Sequence, residues 1–291
     1  MSNFDETRMR SATYSARVDR DRPACLIFLL DQSNSMRDPL AGDPTRSRHV
    51  ALAEILNGLL YEVVLRCVKS PQEGPRPYFA VAVVGYSTDH LGNPIIKSAL
   101  HPPLDDHDVV WTPDLASNPL RIDQRPAGSG SGFVSAPVWI EPTASGGTPM
   151  CGAFDRAGLI AKSWVDTYPS SFPPIVINIT DGEATDGAPI AWANRLTGLQ
   201  SDDGAVLLFN LGLSSNPSPP LLFPSEVPNT QDEFTSLMFQ MSSTLPPFML
   251  EAARAQGFDV QAGARGFGCN ADLRSVVTFL NVGTAVGRVL R

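Results

Sequence analysis

Five oxygen-bearing side chains in this 291-residue chain have the types and spacing to hold a hard cation. Asp31, Ser33 and Ser35 follow one another at intervals of two in Cys25-Leu-Ile-Phe-Leu-Leu-Asp-Gln-Ser-Asn-Ser-Met36. One carboxylate and two hydroxyls can therefore turn towards a common point as the backbone leaves an apolar run. Three oxygens do not close a coordination shell, and two later stretches offer more. Gly146-Gly-Thr-Pro-Met150 presents Thr148 on a turn, and Ile175-Val-Ile-Asn-Ile-Thr-Asp-Gly182 delivers Asp181 at the end of a second apolar run. A set made only of oxygens suits Mg²⁺ or Mn²⁺, with water filling the remaining octahedral positions. Asp-x-Ser-x-Ser alone also describes a helix cap or a polar turn. Two apolar runs that each end in an acid, with the Thr between them, single out the metal.

The elements that must position these groups are legible around them. Cys25 to Leu30 is too short and too uniformly apolar for a surface helix and predicts a strand buried on both faces, as in parallel sheets. Ligands of open α/β sheets sit beyond the C-terminal ends of such strands. A helix is predicted over Arg46 to Val68, where Leu52, Ile55, Leu56, Leu59, Leu60, Val63, Val64 and Cys67 recur at three and four. Further strands are predicted at Tyr78 to Tyr86, Ile175 to Thr180, Gly204 to Gly212 and Ala264 to Cys269. Helices are predicted at Met150 to Val165, Ala188 to Leu199, Asp232 to Met241, Pro246 to Gln256 and Asn270 to Leu280. This alternation predicts an α/β fold with a mostly parallel central sheet flanked by helices.

At the five oxygen donors the chain resembles the von Willebrand factor A (VWA) family. That family's metal-ion-dependent adhesion site, or MIDAS, is built from Asp-x-Ser-x-Ser, a distant Thr and a distant Asp, and Asp31, Ser33, Ser35, Thr148 and Asp181 match it. The resemblance implies a Rossmann-like VWA fold over about 24–86, 144–212 and 257–282. It implies Mg²⁺ (or Mn²⁺) at the site and a protein ligand whose Asp or Glu carboxylate completes the shell, with no catalysis. Among VWA proteins the chain looks most similar to intracellular bacterial ones of the tellurium-resistance type, associated with Ser/Thr kinases and protein phosphatase 2C. An adaptor in bacterial stress or kinase/phosphatase signalling is the function this implies.

The expected organisation is an N-terminal segment, 1–23, and one VWA domain, 24–291. Two irregular insertions, at about 87–147 and 213–232, exceed a compact member of the family; the first is rich in Pro, Gly and Asp and the second carries five prolines. Hairpin-like pieces fall at Gly92 to Pro94, Leu120 to Arg125 and Phe133 to Ile140.

Composition narrows the partners. Hydrophobic residues make up 43% and charged residues 18%, and the formal charge is −8 without a basic cluster. That balance argues against nucleic acid and against anionic membrane surfaces. No apolar run approaches a membrane span, and the N-terminal residues lack a secretory leader pattern, so a cytoplasmic protein is expected. The cysteines at 25, 67, 151 and 269 lack metal-ligand spacing and read as free thiols in the core, with Cys151 close to Thr148.

The competing class is a Mg²⁺-dependent phosphohydrolase with an Asp nucleophile after a buried strand. Such an enzyme places a second acid two residues on, where this chain has Ser33, and no phosphate loop, nucleophile elbow or His-Glu-x-x-His helix is present. Three minor features have bland readings. His101-Pro-Pro-Leu-Asp-Asp-His-Asp108 reads as a solvated turn. Glu183 and Asp186 are either orienters of a cation's waters or ordinary loop acids. The Met- and Phe-rich stretch from Phe234 to Leu250 reads as core rather than as a partner groove.

Overall fold

The computed structural model describes residues 14–70, 72–126, 132–214, 218–228 and 232–285. The first part of the expected N-terminal segment and parts of both insertions lie outside the described residues. In chain order the strands are β1 (Ala24–Asp31), β2 (Pro39–Leu40), β3 (Asp43–Ser47), β4 (Phe79–Thr88), β5 (Pro94–Ser98), β6 (Val110–Trp111) and β7 (Arg121–Pro126). They continue with β8 (Phe133–Val138), β9 (Ile175–Thr180), β10 (Gln200–Ser201), β11 (Gly204–Ala205), β12 (Leu207–Leu213), β13 (Leu221–Leu222) and β14 (Phe267–Ala271). The helices are α1 (Arg48–Arg66), α2 (Thr112–Ser117), α3 (Met150–Thr167), α4 (Ile190–Thr197), α5 (Glu233–Met241), α6 (Pro247–Ala255) and α7 (Leu273–Gly283).

The central sheet runs β13-β14-β12-β9-β1-β4-β5, with β6 also pairing β4. Its five inner strands, β14, β12, β9, β1 and β4, are mutually parallel, and β13, β5 and β6 add antiparallel edges. All eight residues of β1 are buried, as a strand covered on both faces requires. Alternation then sorts its side chains. Leu26, Phe28 and Leu30 join the cluster of Leu52, Leu56 and Leu60 from α1 and Val276 and Phe279 from α7. Cys25, Ile27 and Leu29 join Phe154 and Ile160 from α3, Leu196 from α4 and Met238 from α5. Each fully buried Leu, Ile or Phe contributes about 1.5–3 kcal/mol, so both layers are strongly tied to β1. This mixed α/β architecture, a mostly parallel sheet flanked by helices, is consistent with a Rossmann-like VWA fold.

The chain reverses its direction of travel across the sheet at β1. From β1 it crosses through α1 to β4 on one side, and after the insertion it returns through α3 to β9 on the other. The C-terminal ends of β1 and β9 therefore flank a topological switch point, where the departing loops splay and leave a crevice.

Most boundaries differ from the sequence expectation by one to three residues, and two differences have physical causes. The insertion at 87–147 contributes to the sheet through β5 and β6 and contains α2, whose single turn and a half is too short to show a helical period. In the second insertion, Leu221–Leu222 pairs antiparallel with β14 and extends the sheet edge. Met238, Phe239, Met241 and Met249 are buried, as the core reading of that stretch expected. All four cysteines are free, three of them buried and Cys269 half-buried.

Candidate metal centre

Asp31 ends β1 with only 1% of its surface exposed. Its Oδ1 accepts the Ser33 amide at 2.8 Å, and its Oδ2 accepts the Thr180 hydroxyl at 2.6 Å. The first bond fixes the Asp-x-Ser turn. The second reaches from the last residue of β9 across the switch point. Beyond Ser33 the chain enters a short 3₁₀ turn, Asn34–Arg37, which folds the next hydroxyl back, so that Ser33 Oγ and Ser35 Oγ lie 3.0 Å apart. Ser35 Oγ donates to Asp181 Oδ1 at 2.6 Å. Thr180, Asp31, Ser33, Ser35 and Asp181 thus form a continuous polar chain across two strand ends, with exposed Ser35 at its solvent side.

Thr148 reaches the same end by a different route. Its turn is stitched to the Asp31 loop by the amide of Asn34 donating to the Gly146 carbonyl at 2.9 Å and that of Ser145 donating to the Gln32 carbonyl at 2.6 Å. The Gly147 amide donates to Thr88 Oγ1 at 2.7 Å. Gly146 has φ +64°, and a Cβ there would collide with the Thr88 carbonyl, so this turn admits only glycine. Thr148 itself is buried, with its amide on Thr185 Oγ1 at 3.1 Å and its carbonyl accepting from the Thr185 amide at 2.9 Å. Four of the five expected donors, Asp31, Ser33, Ser35 and Asp181, therefore share one network. The fifth is held beside it by backbone bonds, and its hydroxyl makes no hydrogen bond to the other four.

Several residues that position the site carried no sequence signal of this role. Buried Asn57 on α1 donates to the Ile140 carbonyl at 2.8 Å and accepts the Trp139 and Ile140 amides at 2.8 and 3.0 Å, anchoring the end of the first insertion just before the Thr148 turn. Arg48, the first residue of α1, pairs with Asp181 Oδ2 and donates to the Ser35 carbonyl at 3.2 Å. The Arg48 and Asp181 side chains are 6% and 0% exposed, and the Arg48 Nε is buried without a partner. Asp186 caps a helix beside the site. Its carboxylate accepts the Cys151 and Gly152 amides at 3.0 and 2.9 Å, satisfying the open N-terminus of α3. Burial, with the negative charge of the Asp186 carboxylate beside it, pushes the Cys151 thiol up to about 12, so it is an inert neighbour of the site.

The two acids differ electrically. Burial pushes the Asp31 carboxyl up to about 6 against the opposing hydrogen bonds from Thr180 and Ser33, and neighbouring Asp181 adds to the rise. No cationic side chain pairs with Asp31 among the described residues. A buried carboxylate without a counter-ion, two adjoining hydroxyls and a second acid form a donor set that fits a hard divalent cation.

No protein-family model matches this chain, and no curated protein does. Loose likenesses to solved structures exist. The manganese-loaded TRAP protein of Plasmodium vivax aligns over 91% of this chain and 74% of its own, with 14% identity and a TM-score of 0.42. The pilus adhesin SpaC of Lactobacillus rhamnosus GG aligns over 92% of this chain and 30% of its own, with 11% identity and a TM-score of 0.42. The pilus adhesin RrgA of Streptococcus pneumoniae covers 60% of this chain at a TM-score of 0.27.

Proposed function

We propose that the chain is a non-catalytic, metal-dependent protein-binding domain. In this proposal Asp31, Ser33, Ser35, Thr148 and Asp181 hold Mg²⁺ (or Mn²⁺), and an Asp or Glu carboxylate of a partner protein completes its shell. The observation that carries it is the polar chain from Thr180 through Asp31, Ser33 and Ser35 to Asp181, built at the switch point around a buried carboxylate that lacks a counter-ion. Once bound, the cation would act as a Lewis acid towards a carboxylate oxygen. The protein's own contribution is positional. β1 fixes the Asp31 turn, the 3₁₀ turn aims Ser35, and Asn57 with Gly146 sets the Thr148 loop. Ser33 stands where a phosphohydrolase of the competing class would place its general acid, which favours binding over turnover.

The finer assignment, an adaptor for a Ser/Thr kinase or phosphatase in bacterial cytoplasmic stress signalling, is proposed on the family resemblance alone. Among the described residues no helix is long and apolar enough to cross a membrane. A metal-dependent pull-down comparing the wild type with Thr148→Ala tests the adhesion reading. Mg²⁺-dependent capture of partner protein that is lost in the variant is the expected result. Mg²⁺-dependent phosphatase turnover abolished by Asp31→Ala would replace adhesion with catalysis.

A further inference from the structure

Arg48 is already a cation at the site. Its guanidinium sits on Asp181 Oδ2 and on the Ser35 carbonyl, inside the protein, while the Ser35 hydroxyl takes Asp181 Oδ1. Both oxygens of Asp181 are thus engaged before any metal arrives, whereas Asp31 has hydrogen bonds and no ion pair. Two ionised acids and one guanidinium leave the site with a net charge of −1, and a divalent cation takes it to +1. Both states are unbalanced in a region that water barely reaches, where charges interact strongly. An incoming carboxylate restores neutrality to the second.

We propose that Arg48 is a resident counter-ion that competes with the metal for Asp181 and makes metal binding and carboxylate binding mutually dependent. This rests on the metal-site reading above and extends it to regulation. With Arg48 in place the metal alone is held weakly. The metal together with a partner's acid is held tightly, because the acid offsets the positive charge that Arg48 and the metal share. By linkage the coupling is reciprocal, so the partner's acid also binds better when the metal is present. The Arg48 Nε–H is buried without a partner, so the guanidinium is incompletely satisfied where it sits on Asp181.

The test is Mn²⁺ binding, followed by electron paramagnetic resonance of free Mn²⁺, in the wild type, Arg48→Gln and Arg48→Lys, each with and without glutarate as the carboxylate probe. In the wild type glutarate tightens Mn²⁺ binding. In Arg48→Gln, Mn²⁺ alone binds about tenfold or more tightly than in the wild type, and the glutarate effect shrinks. Arg48→Lys, which keeps the charge, stays closer to the wild type than Arg48→Gln does. Equal Mn²⁺ affinity in the wild type and Arg48→Gln overturns the inference while leaving the metal site intact. Absence of Mn²⁺ binding in all three proteins instead overturns the metal-site reading. Should Arg48→Gln not fold, the Arg48 Nε–Hε resonance of the wild type, assigned by its loss in Arg48→Lys, decides the matter. It shifts in step with Mg²⁺ titration if Arg48 leaves Asp181, and an unmoved resonance overturns the inference.

Discussion

The two strand ends that meet at the switch point solve the same electrostatic problem in opposite ways. At the end of β1, Asp31 is buried with hydrogen bonds only, and its carboxyl is raised to about 6. Beyond β9, Asp181 is equally removed from water but is neutralised by Arg48. One acid waits for a counter-ion, and the other carries its own. The difference separates two roles that a shared residue type conceals. Asp31 stores unfavourable charge that a cation relieves, and Asp181 ties the site to α1 through an ion pair whose loss leaves a buried charge behind.

The sharpest way to break this contrast is to remove each acid from the metal-free protein. Asp181→Ala leaves Arg48 buried and unpaired and should lower stability by about 3–5 kcal/mol in urea denaturation. Asp31→Asn removes a buried charge that no cation balances and should leave stability unchanged or raised. Equal losses for the two variants would erase the distinction.

Acidity sharpens the same comparison. Because the folded-state carboxyl of Asp31 lies at about 6, above the ordinary value of 3.8, the native state keeps a proton that the unfolded chain has already released. Its contribution is full below about pH 4 and is lost as pH rises to about 6, so metal-free stability falls across that window and then levels. Metal binding needs the ionised form, so Mn²⁺ affinity should weaken by up to about tenfold per pH unit below 6. Both effects, followed by thermal melts and Mn²⁺ titration between pH 4 and 8, should vanish in Asp31→Asn.

The smallest expected effect is at Asp186, an acid of the same loop as Asp181 with a different task. Asp186→Ala removes the cap of α3 and should cost about 1 kcal/mol, while Mn²⁺, by binding only the folded state, should still raise the melting temperature as it should in the wild type. Loss of that rise would bring Asp186 into the site.

How much was legible beforehand varied with the range of the interaction. The β1 and β9 strands were visible as apolar runs because a strand covered on both faces must be apolar throughout, and α1 and α3 because their apolar residues repeat at helical spacing. The closeness of Asp31, Ser33 and Ser35 followed from spacing alone, whereas placing Asp181 beside them required the strand order. The short elements β6, α2 and β13 were hidden, since none is long enough to establish a period and each forms by pairing with, or packing on, structure made elsewhere. Asn57 looked like one more polar residue on a helix, and its three bonds to a chain some 80 residues away have no local trace.

By itself, then, the order of residues determined which groups are available and which stretches must be buried. Hydrophobic periodicity and the run of oxygen donors are local properties, written in neighbouring positions. Which acid is neutralised, and by what, was settled only when α1 packed across the switch point and carried Arg48 onto Asp181. Charge balance depends on distances between residues far apart in the chain, and burial sets how strongly each of those distances counts.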